Sequence, residues 1–207
     1  MNNWKIGAFY SEKTPYKEMI EKYLKSSCEL LSLEKKLIVT KTTNYGNWYS
    51  NVAEKPNTIL KTFSFLKEKE DLVFLDADSR IESYPKIFDE IPEEYDIAFH
   101  TLDWNVWYGY NHTKPIKELL TGTMFLRQNK KVIELCKEWY EVARKTREWE
   151  QKVLQRVIKN HDLKIFDLPI EYCYMDSLPG DRKPIVKVKP IIKHFQMSRK
   201  YKRSSWN

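Results

Sequence analysis

Asp76 and Asp78 stand one residue apart at the end of a continuous apolar run, Asp71-Leu72-Val73-Phe74-Leu75. Such a run reads as a buried strand, and its end is where open α/β sheets bind ligands. In extended backbone, positions i and i+2 point the same way, so one divalent cation fits between the two carboxylates. Burying two like charges this close is costly without a cation or a proton to offset them. The chemistry suggested is metal-assisted handling of a phosphate ester. Asp-x-Asp also occurs in turns and at helix starts, so the surroundings must decide.

The surroundings alternate between strand and helix patterns. Trp4–Tyr10 is an apolar and aromatic strand. Tyr16, Met19, Ile20, Tyr23 and Leu24 follow helical spacing after Pro15. A second strand runs over 36–41, a loop over 44–51 and a helix over 56–66, just before the Asp-x-Asp strand. Tyr95–His100 reads as a strand, 103–113 as an aromatic loop and 118–127 as a turn feeding a strand. Amphipathic helices follow over 129–145 and 148–160, then a late strand over 164–168. This order predicts an α/β fold in one domain over 1–207, with a mainly parallel central sheet flanked by helices. From 182 the chain is basic and Pro-containing, a segment expected to close over the ligand site.

At 207 residues, with 42% hydrophobic content, the chain is long enough for a substantial core. A net charge of +7 suits polyanionic partners and also serves solubility. Cys28, Cys136 and Cys173 lack metal or redox spacing, which suggests reduced thiols in a cytoplasm-like compartment. No stretch has the length of a signal peptide's apolar region at the start or of a bilayer span elsewhere.

Four places resemble the GT-A fold of nucleotide-sugar glycosyltransferases, in particular the glycogenin-type branch and related small nucleotide-diphospho-sugar transferases. Lys55-Pro56-Asn57-Thr58-Ile59-Leu60 resembles the helix start before their metal strand. Asp76-Ala77-Asp78 matches their Asp-x-Asp motif. Thr121-Gly122-Thr123-Met124 resembles their small-residue turn beneath the donor sugar. His194-Phe195-Gln196-Met197-Ser198-Arg199-Lys200 resembles their His-Phe-x-Gly-x-x-Lys segment, with Met197 in place of the glycine. If that glycine serves a special backbone angle, the loop must differ here.

The resemblance implies a UDP-sugar donor such as UDP-glucose, and Mn²⁺ or Mg²⁺ held by Asp76, Asp78 and His194. One nitrogen and two oxygens suit Mn²⁺ best. It places Lys200 on the diphosphate, Lys55 on the donor, and Ala8, Phe9 and Tyr10 against the nucleoside. Gly122 and Thr123 would lie beneath the sugar. Glu150 and Gln151 occupy the place of the group that faces the reacting sugar. Glu150 as a base implies inversion, and Gln151 under the anomeric carbon implies retention, which is favoured.

Trp104, Trp107, Tyr108 and Tyr110 can stack on sugars or bases, with Asp103 bonding an acceptor hydroxyl. With the basic tail they favour DNA as partner, through a hydroxymethylated pyrimidine like those glycosylated by small phage enzymes; a glycan, lipid or protein hydroxyl is the alternative. Two other classes compete. A haloacid-dehalogenase phosphatase also opens on Asp-x-Asp, but near its N-terminus. A non-catalytic nucleic-acid module leaves Asp76 and Asp78 unexplained.

Overall fold

The computed structural model describes residues 3–114, 116–175, 177 and 183–197. Its central sheet contains β1 (Asn3–Ser11), β2 (Leu37–Thr42), β3 (Glu70–Leu75), β5 (Ile97–Asp103), β6 (Lys117–Leu126) and β7 (Ile165–Asp167) in the order β2-β1-β3-β6-β5-β7. The sheet is mostly parallel: β6 alone runs against both of its neighbours. Every residue of β3 is buried, as a strand covered on both faces requires.

Alternate β3 side chains feed two cores. Leu72 and Phe74 join Ile59 and Phe63 of α4 (Lys55–Phe63), Val132 and Trp139 of α7 (Lys130–Lys145), and Val153 of α8 (Glu150–Val157). Val73 and Leu75 join Ile20, Leu24, Cys28 and Phe88 on the opposite face. Phe88 belongs to α5 (Ile87–Glu90) and packs on Phe125, Trp4 and Tyr172. All three cysteines are buried and free. No helix among the described residues is long and apolar enough to cross a membrane.

Five local readings change. The helix expected after Pro15 is α1 (Tyr16–Met19) and α2 (Ser26–Leu30) joined by a π-helical stretch, Ile20–Lys25. The loop expected over 44–51 contains the start of α3 (Trp48–Val52). Asn47 caps it by accepting the Ser50 amide at 2.9 Å, a polar cap hidden in a polar stretch. The aromatic loop contains α6 (Trp104–Tyr108), capped by Asp103 and closed by Gly109 at φ 70°. The turn expected around Gly122 is instead an irregularity within β6, whose register against β5 shifts between Leu119 and Met124 while the strand continues. Finally, the Asp-x-Asp strand ends at Leu75 rather than Asp78.

That early ending creates a second sheet. Its strands are β4 (Ser79–Ile81), β9 (Ile192–His194) and β8 (Tyr174–Met175), in the order β4-β9-β8. Ser79 lies opposite His194 in the antiparallel β4–β9 pair. None of these short strands has enough alternation to be read from sequence, yet they place the functional site.

Candidate functional site

The β3 ladder continues one bond beyond the strand, as the Asp76 amide donates to the Gly122 carbonyl at 2.9 Å. The chain then turns. The Asp76 carbonyl accepts from the Ser79 amide at 3.0 Å and from the Ser79 hydroxyl at 2.6 Å. This turn, rather than extended backbone, sets the relation of Asp76 to Asp78. The C-terminal segment completes it: the Asp78 carbonyl accepts the Phe195 amide at 3.2 Å, and its carboxylate accepts the Met197 amide at 2.7 Å. The backbone strain falls on Gln196, at φ 54°, one residue before the motif's glycine position. Met197 therefore serves through its N–H. Phe195 stacks on Tyr23 of the π-helical stretch, with ring centroids 4.4 Å apart.

Asp76, Asp78 and His194 each bring a ligand atom to within 4.8 Å of the others. His194 is buried, and its Nε2 pairs with the Thr123 hydroxyl at 2.9 Å. Its Nδ1 is buried and has no hydrogen-bond partner among the described residues. Burial pushes the His194 pKa down to about 4, so the ring is neutral at physiological pH. Burial, reinforced by the neighbouring Asp76 charge, pushes Asp78 up to about 6. A neutral imidazole with one unpaired nitrogen beside two carboxylates is a donor set suited to a divalent cation. Gly122 makes room for it, since a Cβ there would lie 3.0 Å from His194 Cε1.

Lys55 is buried beside this set. Its ammonium is 2.8 Å from Asp76 Oδ1, 2.9 Å from Glu150 Oε1 and 3.1 Å from the Thr121 hydroxyl. Burial opposes its charge, but the two carboxylates outweigh burial and raise its pKa above the usual lysine value. Thr121 also donates to Glu150 Oε1 at 3.0 Å, and its amide donates to Gln151 Oε1 at 3.2 Å. Gln151 donates to Glu118 at 2.7 Å. Glu150 Oε2 is buried with no hydrogen-bond partner among the described residues. Trp139 anchors the start of α8 by donating to the Glu150 carbonyl at 2.8 Å.

These groups line a cavity of about 790 Å³. Its lining includes Phe9 and Tyr10 near the end of β1, Asp76, Ala77, Asp78, Gly122 and His194, and Glu150, Gln151, Trp104 and Tyr108. Thr123 reaches the cavity only through His194. Ala8 is in the core, and Asp103 accepts the Asn105 amide at 2.8 Å as a helix cap; neither lines the cavity. Lys200 lies outside the described residues. Thr121, to which the motif resemblance assigns no role of its own, bridges Lys55 and Glu150. Trp48 and Asn51 also line the cavity, and their signal was the Asn47 cap.

The family model for nucleotide-diphospho-sugar transferases matches residues 16–204. The chain belongs to this family. Its fold is GT-A, and the protein is a glycosyltransferase. No curated protein sequence matches it. Among solved structures, a glycosyltransferase involved in glycosylation of the major capsid of PBCV-1 superposes with TM-score 0.66 and 13% identity, over 94% of this chain and 93% of the other. Mouse xyloside xylosyltransferase 1, in its apo form, gives 0.56 and 10% over 95% and 98%. The galactosyltransferase LgtC, in complex with donor and acceptor sugar analogs, gives 0.54 and 8% over 93% and 87%. At such identities the likeness is one of fold.

In this nucleotide-diphospho-sugar transferase, Lys55→Met keeps the side-chain length and removes the counter-charge. Glu150, whose side chain is 2% exposed, becomes an uncompensated buried carboxylate, with an expected loss of about 3–5 kcal/mol. Asp76, 35% exposed, adds less because solvent screens it. Urea unfolding at neutral pH measures the loss. A change within about 0.5 kcal/mol, as for a neutral surface substitution, would contradict this role for Lys55.

Proposed function

We propose that the protein transfers a hexose from UDP-glucose to an acceptor hydroxyl, with Mn²⁺ and with retention at the anomeric carbon. The observation that carries this reading is the convergence of Asp76, Asp78 and His194 within 4.8 Å on the cavity wall. Charge supports it. Among the described residues, Lys55 is the one cation bonded to this group, and Asp76, Asp78 and Glu150 outnumber it, so a further positive charge relieves an excess of negative charge. Asp76, Asp78 and His194 Nδ1 would hold the cation. When bound, it neutralises charge developing on the departing diphosphate.

The chain's own groups do the rest. Tyr10 and Phe9 offer ring faces for the nucleobase. Lys55 holds Asp76 and Glu150 in place. Glu150 is tied through Oε1 to the Lys55 ammonium and the Thr121 hydroxyl, so its carboxyl group is held in one position. Such a group suits a positive anomeric carbon in the transition state better than it suits carrying a proton away. Gln151, fixed between the Thr121 amide and Glu118, presents a neutral amide beside it. Both features support retention. Trp104 and Tyr108, with ring centroids 5.3 Å apart, form the wall for the ring that bears the acceptor hydroxyl. A sugar and a hydroxymethylated pyrimidine of DNA are both such rings. A non-catalytic nucleic-acid module would leave the buried ion cluster without a use.

Incubation with UDP-glucose and Mn²⁺, using a methyl glycoside and a hydroxymethyluracil oligonucleotide as acceptors, is expected to give an α-linked product by proton NMR. A β-linked product would remove retention, and no transfer or donor hydrolysis would remove the activity. Mn²⁺ affinity, followed by paramagnetic resonance, is expected to rise about tenfold per pH unit below about 6 and to level off above it. Asp78 must lose its proton to bind, whereas His194, with its pKa near 4, has already lost its own. Affinity that stays flat through this range would contradict Asp78 as a ligand.

A further inference from the structure

The cavity is polarised. Its acidic groups, apart from Glu118, gather at the end of β3 and the start of α8. Lys117, Lys152, Arg156 and Lys159, all exposed, also line it, as do Trp104 and Tyr108; the Lys117 carbonyl accepts from Gln155 of α8 at 3.3 Å, and the Trp104 amide donates to the neighbouring Ile116 carbonyl at 3.0 Å. Arg156 is paired with Glu148 at 2.8 Å. Lys117, Lys152 and Lys159 enter no salt bridge found among the described residues. Glu118, the nearest carboxylate in sequence to Lys117, is engaged by Gln151 at 2.7 Å and by Trp104 at 3.3 Å.

Among the described residues, none of these lysines pairs with Asp76, Asp78 or Glu150. Gly122 packs on His194, whereas Lys117 lies opposite Asp103 at one end of the β5–β6 ladder. Lys152 and Lys159 are separated by about 10 Å along the helical axis, more than one phosphate group spans. Three unpaired cations over this distance, with two aromatic rings beside them, match a chain of phosphates with an accompanying base.

We propose that this end of the cavity is a backbone-phosphate site for a single-stranded or base-extruded nucleic acid. Lys117, Lys152 and Lys159 follow the phosphodiesters, and Trp104 and Tyr108 stack the base that bears the acceptor hydroxyl. The site rests on the transferase reading and names its acceptor class.

The probe is a fluorescein-labelled oligothymidylate, and binding is read by anisotropy across a salt series with UDP and Mn²⁺ present. In the triple variant Lys117→Ala, Lys152→Ala, Lys159→Ala, affinity is expected to fall at least about tenfold. The slope of log affinity against log salt should become shallower by about 2, since each single-strand phosphate contact contributes about 0.7. These are exposed side chains, and unchanged UDP binding by calorimetry shows that the variant is folded. Unchanged affinity and slope would overturn the proposal. So would binding of polyglycerol phosphate with the same lysine dependence while oligothymidylate does not bind, or displacement of the oligothymidylate by an equal concentration of a neutral maltooligosaccharide. Donor binding by the wild type is measured separately, so failure of the transferase reading is distinguished from failure of the phosphate site.

Discussion

One ammonium inside the protein organises the site. Lys55 starts α4, Asp76 directly follows β3, Glu150 starts α8 and Thr121 sits in β6, and all meet at a single nitrogen. Burying Lys55 alone would be prohibitive, and so would burying Glu150 alone. Together they are tolerable, and they fix four elements at one point. The arrangement leaves excess negative charge facing the cavity, because Asp78 and the second oxygen of Glu150 lie outside the pairing. A site that is stable yet short of positive charge among the described residues is suited to a cationic or electron-poor ligand.

The second constraint is the small β4-β9-β8 sheet. Asp78 and His194 are far apart in the chain, and their juxtaposition depends on the register Ser79↔His194 and on two backbone N–H bonds to Asp78. The left-handed Gln196 and the stack of Phe195 on Tyr23 hold that segment in position. The substitution of Met for glycine at 197 is tolerated because the unusual dihedral falls on its neighbour and the motif's contribution here is a main-chain amide.

The parts legible in the sequence were those written in local patterns. The apolar run of β3, the periodicity of α7 and α8 and the convergence of Asp76, Asp78 and His194 are legible directly or through motif resemblance. The parts that were not legible are set by partners distant in sequence. Gly122 read as a turn because glycine commonly marks one, yet it is a strand residue kept small by the His194 ring. Asp103 read as an acceptor contact and is a helix cap. Thr121 had no distinguishing signal, since its role exists only once Lys55 and Glu150 have been brought to it. The α3 and α6 helices are single turns defined by capping, which periodicity does not detect.

Thermal unfolding of metal-free protein with UDP, with Mn²⁺, and with both together tests the central idea, that this ion cluster is built around a missing positive charge. A ligand that binds only the native state raises the apparent midpoint. The expected result is a rise with UDP and Mn²⁺ together that exceeds the sum of their separate effects. An equal rise with UDP in the presence of a chelator, or no rise under any of these conditions, would contradict it.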